Sequence, residues 1–398
     1  MFELTNEQRK YFGINPIQSN WDKEYFKGDF YRPESFLYYE NNVIRRQIVS
    51  TDSKYEEFQY KINTLNREFI LAKTNRGKNK KLTPSTFEHC NPVGTYCVIN
   101  TDGNIIIGNQ TTQRTFYESD FDNAGKSLMI TIKEIVNSYI NTCPQNYLNE
   151  INSFNNEKRK NIKYKSGDFF RYKINRTLYG FGRIILDINK LRKNNLVNNN
   201  HGLDLLMGPP ILIKIYAIIS KTKDIDLYYL KKQPSLPSDY IMDNRIFYGD
   251  YELIGNLDLE DNDFDFPMSY GKSISHTDPS YIFLQWGLIH RSLPIKKFSK
   301  YLHIKRNGIE DINPYGYYSI GFNPSYNALN IADFLAGKNI FESNSNYKYD
   351  VDLRNPKNTN IRNEIMKIFG LDPNFDYIYN AKLSNTENIY DVIHKLNS

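Results

Sequence analysis

Apolar and polar positions alternate in short runs along most of the chain, with turn residues between them, which predicts strands and hairpins more than long helices. The stretch FLYYENNVIRRQIV from Phe36 holds two apolar runs around Glu40-Asn41-Asn42 and reads as a hairpin. Further strands are expected at Arg67 to Ala72 and Gly94 to Asn100, the latter turned by Thr101-Asp102-Gly103-Asn104 into Ile105-Ile106-Ile107-Gly108. Asp-Gly between apolar runs is a strong local hairpin signal. Residues from about 30 to 117 therefore form a small, mostly antiparallel β domain.

Helical spacing is confined to a few places. At the start Thr5 and Gln8 form a capping box and Gly13 provides a stop. From about Asn123 to Asn141, Leu128, Ile132, Ile135, Val136, Tyr139 and Ile140 recur on one helical face, ended by Cys143-Pro144. The polar stretch from Glu150 to Lys163 is a second helical piece or a linker, and a domain boundary is placed there. Near the C-terminus Asn330 caps a short helix ending at Gly337, and Ile361, Ile365, Ile368 and Phe369 form a stripe stopped by Gly370. The last helix runs from about Asn385, with a Ser384 to Glu387 capping box and Ile389, Val392, Ile393 and Leu396 on one face.

Between these helices lies the most informative stretch, Tyr164 to Asp187. Gly167-Asp168 opens a strand of Phe169, Phe170, Tyr172 and Ile174, Asn175-Arg176-Thr177 turns it, and Leu178 to Asp187 returns. Gly180 and Gly182 flank Phe181 in the return; glycines inside a strand mark a bulge or a close approach. Strands are also expected at Ile211 to Ser220, within Tyr240 to Tyr251 around a Gly249-Asp250 turn, at Glu252 to Leu257 and at Tyr281 to His290. The predicted class is α+β: two β-rich domains of mainly antiparallel strands, as a strongly bent sheet or partial barrel, with flanking helices and a helical C-terminal segment. The domains span 1–150 and 160–300, with the helical segment 301–398 packing on the body.

The pattern Gly167-Asp168-Phe169-Phe170 followed by Tyr179-Gly180-Phe181-Gly182-Arg183-Ile184-Ile185, with Gln285-Trp286-Gly287-Leu288-Ile289 in a closing strand, resembles the immunity-26 family of bacterial polymorphic toxin systems. That family name is also joined to a phosphotriesterase of the HocA kind. The resemblance covers about residues 160 to 300 and implies a non-enzymatic protein that neutralises a cognate toxin by stoichiometric binding, without a cofactor.

Composition narrows the alternatives. The 398 residues are 40% hydrophobic and 15% aromatic, enough to bury a substantial core. No apolar run reaches the length of a membrane span and no signal-like leader is present, so a cytoplasmic location and no membrane partner are expected. Three cysteines, Cys90, Cys97 and Cys143, do not make a disulfide framework. The net charge of +6 is too mild at this length to call for nucleic acid. Its distribution is uneven, however: Lys73 to Lys81 is basic, whereas Asp250 to Asp265 carries seven carboxylates and no base. The acidic run is a solvated face or a complement to a basic partner.

Enzymatic motifs are weak. Gly180-Phe181-Gly182 lacks the third glycine of a dinucleotide turn, there is no phosphate loop, and no Gly-x-Ser-x-Gly elbow occurs. Asp261, Asp263 and Asp265 imitate the start of a calcium loop, but Phe266 and Lys272 occupy its glycine and glutamate positions. His89, Cys90 and Cys97 lack a fourth ligand, and a metal-dependent phosphotriester hydrolase would need a cluster such as His276, Asp278 and His290 to converge. A nucleic-acid-binding module would instead use the basic and aromatic residues of Lys158 to Arg176. No catalytic or metal-binding residue is assigned. The candidate contacts for a toxin are Tyr179 and Arg183 of the hairpin and Asp258, Glu260, Asp261 and Asp263 of the acidic run. The oligomeric state is left open.

Overall fold

A computed structural model describes every residue except 1, 74–76, 120–130, 198–200, 273–279, 307, 317–319, 322, 342–349 and 398. The chain forms two compact units, one of Met1–Ile162 with Asn175–Thr177 and Tyr248–Asp250, the other of Lys163–Ile174, Leu178–Phe247 and Tyr251–Ser398. The architecture is α+β with several antiparallel sheets and a helical C-terminal segment.

The first unit is built on one sheet. Its strands are β1 (Asp22–Phe26), β2 (Ser35–Glu40), β3 (Val43–Ser50), β4 (Lys54–Leu65), β5 (Phe69–Lys73), β6 (Asn79–Lys81), β7 (Val93–Asn100), β8 (Ile105–Asn109) and β9 (Arg114–Ser119). They run antiparallel in the order β1-β2-β3-β4-β7-β8-β9, with β5 and β6 extending from β4. The helices Ile132–Asn141 and Tyr147–Asn156 contribute Ile132, Val136, Tyr139 and Ile151 to a core shared with Tyr38, Ile48, Tyr55, Ile99 and Ile107 of the sheet. The expected beginning of the first of these helices, with Leu128, lies outside the described residues.

The longest strand, β4, escapes the alternation of apolar residues because one of its inward positions is an acid. Glu57 is fully buried and accepts from Arg9 Nε at 2.7 Å, Arg46 Nη1 at 2.8 Å and the Tyr55 hydroxyl at 2.5 Å. Two cations and a hydroxyl replace its lost hydration, which is the condition for burying a carboxylate.

The second unit holds a five-stranded antiparallel sheet in the order β13-β12-β11-β10-β14: β10 (Asp168–Lys173), β11 (Tyr179–Asp187), β12 (Pro210–Ser220), β13 (Asp239–Met242) and β14 (Glu252–Asn256). Of the strand expected within Tyr240 to Tyr251 only the start forms: β13 ends at Met242 and a helical turn covers Asn244–Phe247, while the strand expected at Glu252 to Leu257 is β14, on the opposite edge of the sheet. A separate three-stranded sheet contains β15 (Met268–Lys272), β16 (Tyr281–Trp286) and β17 (Ile289–Pro294), so Tyr281 to His290 is a hairpin broken at Gly287, where φ is 57°. A two-stranded ribbon follows, β18 (His303–Arg306) with β19 (Ile309–Ile312).

Every residue of β11 is buried because both faces of the five-stranded sheet are covered. One core joins Phe170, Ile184, Ile213 and Ile241 to Ile331 of the helix Pro324–Leu335. Another joins Ile185 and Leu212 to Tyr270 and Leu284 of the smaller sheet and to Met366, Tyr377 and Val392 of the last three helices, Thr359–Ile368, Tyr377–Leu383 and Ile389–Asn397. Two helix starts differ from expectation. Asn330 lies inside a helix that begins at Pro324, and Ser384 ends the helix Tyr377–Leu383, its hydroxyl donating to Asn380 O at 2.8 Å. A serine near a helix end can satisfy carbonyls behind it as well as amides ahead of it.

Candidate partner-binding site

The site begins with the β10–β11 hairpin and the loop that crosses it. Phe170 lies opposite Gly182 and Tyr172 opposite Gly180. A Cβ on Gly182 would come within 2.3 Å of Phe170 Cζ, and one on Gly180 within 2.3 Å of Tyr172 Cζ. The two glycines are therefore seats for the rings of the neighbouring strand. Phe169, Phe170 and Tyr172 are all buried, so this hairpin offers no aromatic platform for nucleic-acid bases.

Next to Gly182, Arg183 turns into the interior and organises the following acidic segment. It is fully buried, lies 4.5 Å over the Phe169 ring, and donates from Nη1 to Asp263 Oδ2 at 2.7 Å. Its Nη2 donates to the carbonyls of Leu257 at 2.5 Å and Asp258 at 2.9 Å. Lys214 of β12 reaches the same carboxylate, Nζ to Asp263 Oδ1 at 3.4 Å, and also the Asn262 carbonyl at 2.9 Å. Asp263 Oδ2 accepts the Glu260 amide at 3.0 Å. A buried arginine, lysine and aspartate thus fasten residues 257–263 to the sheet.

This geometry separates the sequence-predicted contacts into two groups. Tyr179, Arg183 and Asp263 are buried, Tyr179 with Phe181 and Tyr216 and the other two with each other, which removes them from the surface that a partner could touch. Burial follows from the two covered sheet faces, which alternation within one hairpin cannot reveal. Asp258, Glu260 and Asp261 are exposed. Glu260 pairs with Lys231 at 2.5 Å, and Asp261 accepts from the Tyr390 hydroxyl, whose pKa is raised by burial and by that carboxylate. The Asp258 side chain has no hydrogen bond or ion pair with a described residue.

The three aspartates that imitate a calcium loop point to separate partners: Asp261 to Tyr390, Asp263 to Arg183 and Lys214, and Asp265 to the Ser238 amide at 3.1 Å and to Arg354. Among the described residues no three His, Cys, Asp or Glu side chains are grouped to hold a metal ion. His276 and Asp278 lie outside the described residues. His290 pairs instead with His201, ring centroids 5.2 Å apart, and with Gln285 Oε1 at 2.9 Å; burial, with a smaller contribution from His201, pushes its pKa down to about 4.

Beyond the acidic stretch the same loop turns inward. Phe264, Asp265 and Phe266 line a pocket of about 410 Å³ with Trp286, Arg354, Arg362 and Phe375. None of the three last named was singled out from the sequence. The Phe-Asp-Phe alternation was the available signal, and the rest come together only through tertiary contacts.

Residues 165–278 match the family model described as Immunity protein 26. This stretch is similar to Immunity protein 26. That region starts one residue before the Ser166-Gly167 turn and includes β10 to β15, the Arg183–Asp263–Lys214 cluster and the exposed carboxylates Asp258, Glu260 and Asp261. It accounts for less than a third of the chain. No curated protein and no solved structure matches. Among the described residues no helix is long and apolar enough to cross a membrane.

Proposed function

We propose that this protein is an immunity protein that binds a cognate bacterial toxin stoichiometrically and neutralises it, acting in the cytoplasm and without a catalytic step. The match of residues 165–278 to the Immunity protein 26 model carries this reading. The exposed face of the loop 257–263 supports it in detail. Asp258, Glu260 and Asp261 stand on a backbone held by buried ion pairs, so their placement costs little further ordering on association. Carboxylates presented in this way favour a basic partner surface and accelerate its encounter.

The test is co-expression with the toxin encoded beside this gene, with survival and co-elution as readouts. Protection together with a 1:1 complex is the expected result. Unprotected cells and no complex would remove the reading. Replacing Asp258, Glu260 and Asp261 together with asparagine or glutamine should reduce the association rate several-fold at low salt and leave folding unchanged.

A further inference from the structure

The pocket behind the acidic loop combines rings with a cation that has no hydrogen-bond or ion-pair partner among the described residues. Phe264 and Phe266 are stacked with centroids 5.8 Å apart, and Trp286 stands edge-on to Tyr377 at 5.3 Å. Two guanidiniums reach the wall, and they differ. Arg354 is committed, Nη2 to Asp352 Oδ2 at 2.7 Å and Nη1 to the Asp265 carbonyl at 2.9 Å. Arg362, on the helix Thr359–Ile368, makes no hydrogen bond or ion pair with a described residue. Burial is the only influence on it, and it lowers the pKa.

The carboxylates of the wall are also engaged. Asp265 accepts from the Ser238 amide and Arg354, and Asp376 accepts the Tyr379 amide at 2.9 Å as a helix cap. Neither pairs with Arg362, whose half-buried guanidinium has no acceptor among the described residues. A planar guanidinium matches a carboxylate in two parallel hydrogen bonds, and the surrounding rings would cover an apolar body.

We propose that this pocket binds a small organic anion with an apolar body, its carboxylate on Arg362 and its body against Phe264, Phe266 and Trp286. The proposal stands apart from toxin binding, and either can fail without the other.

The sequence contains two tryptophans, Trp21 and Trp286, so two indole N–H signals report the two units separately. Full-length protein labelled with ¹⁵N is titrated with 3-phenylpropionate, with the neutral 3-phenylpropionamide, and with inorganic phosphate. The expected result is a shift of the Trp286 signal alone, with the acid binding at least tenfold more tightly than either the amide or phosphate. Arg362→Gln should abolish the preference of acid over amide, and Arg362→Lys should keep part of it. Equal affinities for acid and amide, equal affinities for acid and phosphate, no saturable shift of Trp286, or an unchanged preference in Arg362→Gln would each overturn the proposal. If the glutamine variant does not fold, the lysine variant and the probe comparison on the native protein decide.

Discussion

Asp263→Asn is the sharpest perturbation of the assembly that presents the acidic face. The change preserves size and removes one charge from a group that is 6% exposed. Arg183, with 0% exposure, and Lys214, with 6%, then keep their charges in the interior without the carboxylate that offsets them. Removing one member of a buried ion pair costs about 3–5 kcal/mol. The lower end applies here, because Arg183 keeps its bonds to the Leu257 and Asp258 carbonyls and Lys214 its bond to Asn262. An exposed pair such as Lys231–Glu260 supplies the control, since Glu260→Gln should cost less than about 1 kcal/mol.

The chain has two compact units, so the assay is set to observe the second one alone. Trp286 fluorescence in a Trp21→Phe background does this during urea unfolding. With an m value of about 2–3 kcal/mol/M, a loss of about 3 kcal/mol moves the midpoint down by about 1–1.5 M. Hydrogen exchange should show the amides of residues 257–263 losing protection together with the global change. A midpoint within about 0.3 M of the parent, or an effect no larger than that of Glu260→Gln, would refute the view that this cluster fastens the loop.

Three further outcomes follow from the same contacts. Gly182→Ala places a Cβ 2.3 Å from Phe170 Cζ and 2.8 Å from the Lys214 carbonyl, so thermal denaturation should show a loss of at least about 2 kcal/mol, whereas Gly77→Ala, with open space around it but φ of 74°, should cost less. Glu57→Gln leaves Arg9 and Arg46 buried beside a neutral group and should destabilise the first unit by about 3–5 kcal/mol, read from Trp21 fluorescence in a Trp286→Phe background. For His290 the folded pKa of about 4 lies below the unfolded value of 6.5, so its contribution is complete above pH 6.5 and is lost as the pH falls towards 4, up to about 3 kcal/mol. His201, also lowered by burial, acts in the same direction, whereas Asp187 and Asp243, raised by burial, oppose it. His290→Gln should flatten the acid limb of the stability curve between pH 6.5 and 4, and an unchanged slope would count against the histidine assignment.

Self-contained local chemistry was legible in several places, although the Ser384 to Glu387 box was not one of them, because Ser384 turns back to Asn380. The Thr5 capping box, the Asn41-Asn42 and Asp102-Gly103 hairpins and the stop at Gly370 all depend on a few adjacent residues, and each appears in the structure. What escaped depended on partners distant in sequence. In β4 the inward Glu57 is explained only by Arg9 and Arg46, 48 and 11 residues away. Tyr179 and Arg183 looked like contact residues because an aromatic and an arginine on a hairpin often are. The covering of that hairpin by residues 227–263 on one side and by the helix Pro324–Leu335 on the other is invisible in the local pattern. The pocket draws on Phe264, Trp286 and Arg362, which no short motif connects.

The family-bearing hairpin and the exposed carboxylates consequently do different work. The hairpin's Gly182 admits the Phe170 ring, and Phe169 in turn supports the guanidinium of Arg183. Arg183 spends its donors on Asp263 and on the Leu257 and Asp258 carbonyls, so the backbone under the acidic face is fixed by the core and not by the side chains that solvent sees. It follows that Asp258, Glu260 and Asp261 can vary without disturbing the fold, whereas Gly182, Arg183 and Asp263 cannot. The recognition surface proposed above would require that separation. Charge-reversed variants at the three exposed positions should therefore fold as well as the parent by Trp286 fluorescence and, under the proposed function, differ from it only in partner binding. If Asp258→Lys unfolds the second unit as readily as Asp263→Asn does, then the loop is held from its exposed side and the division of labour fails.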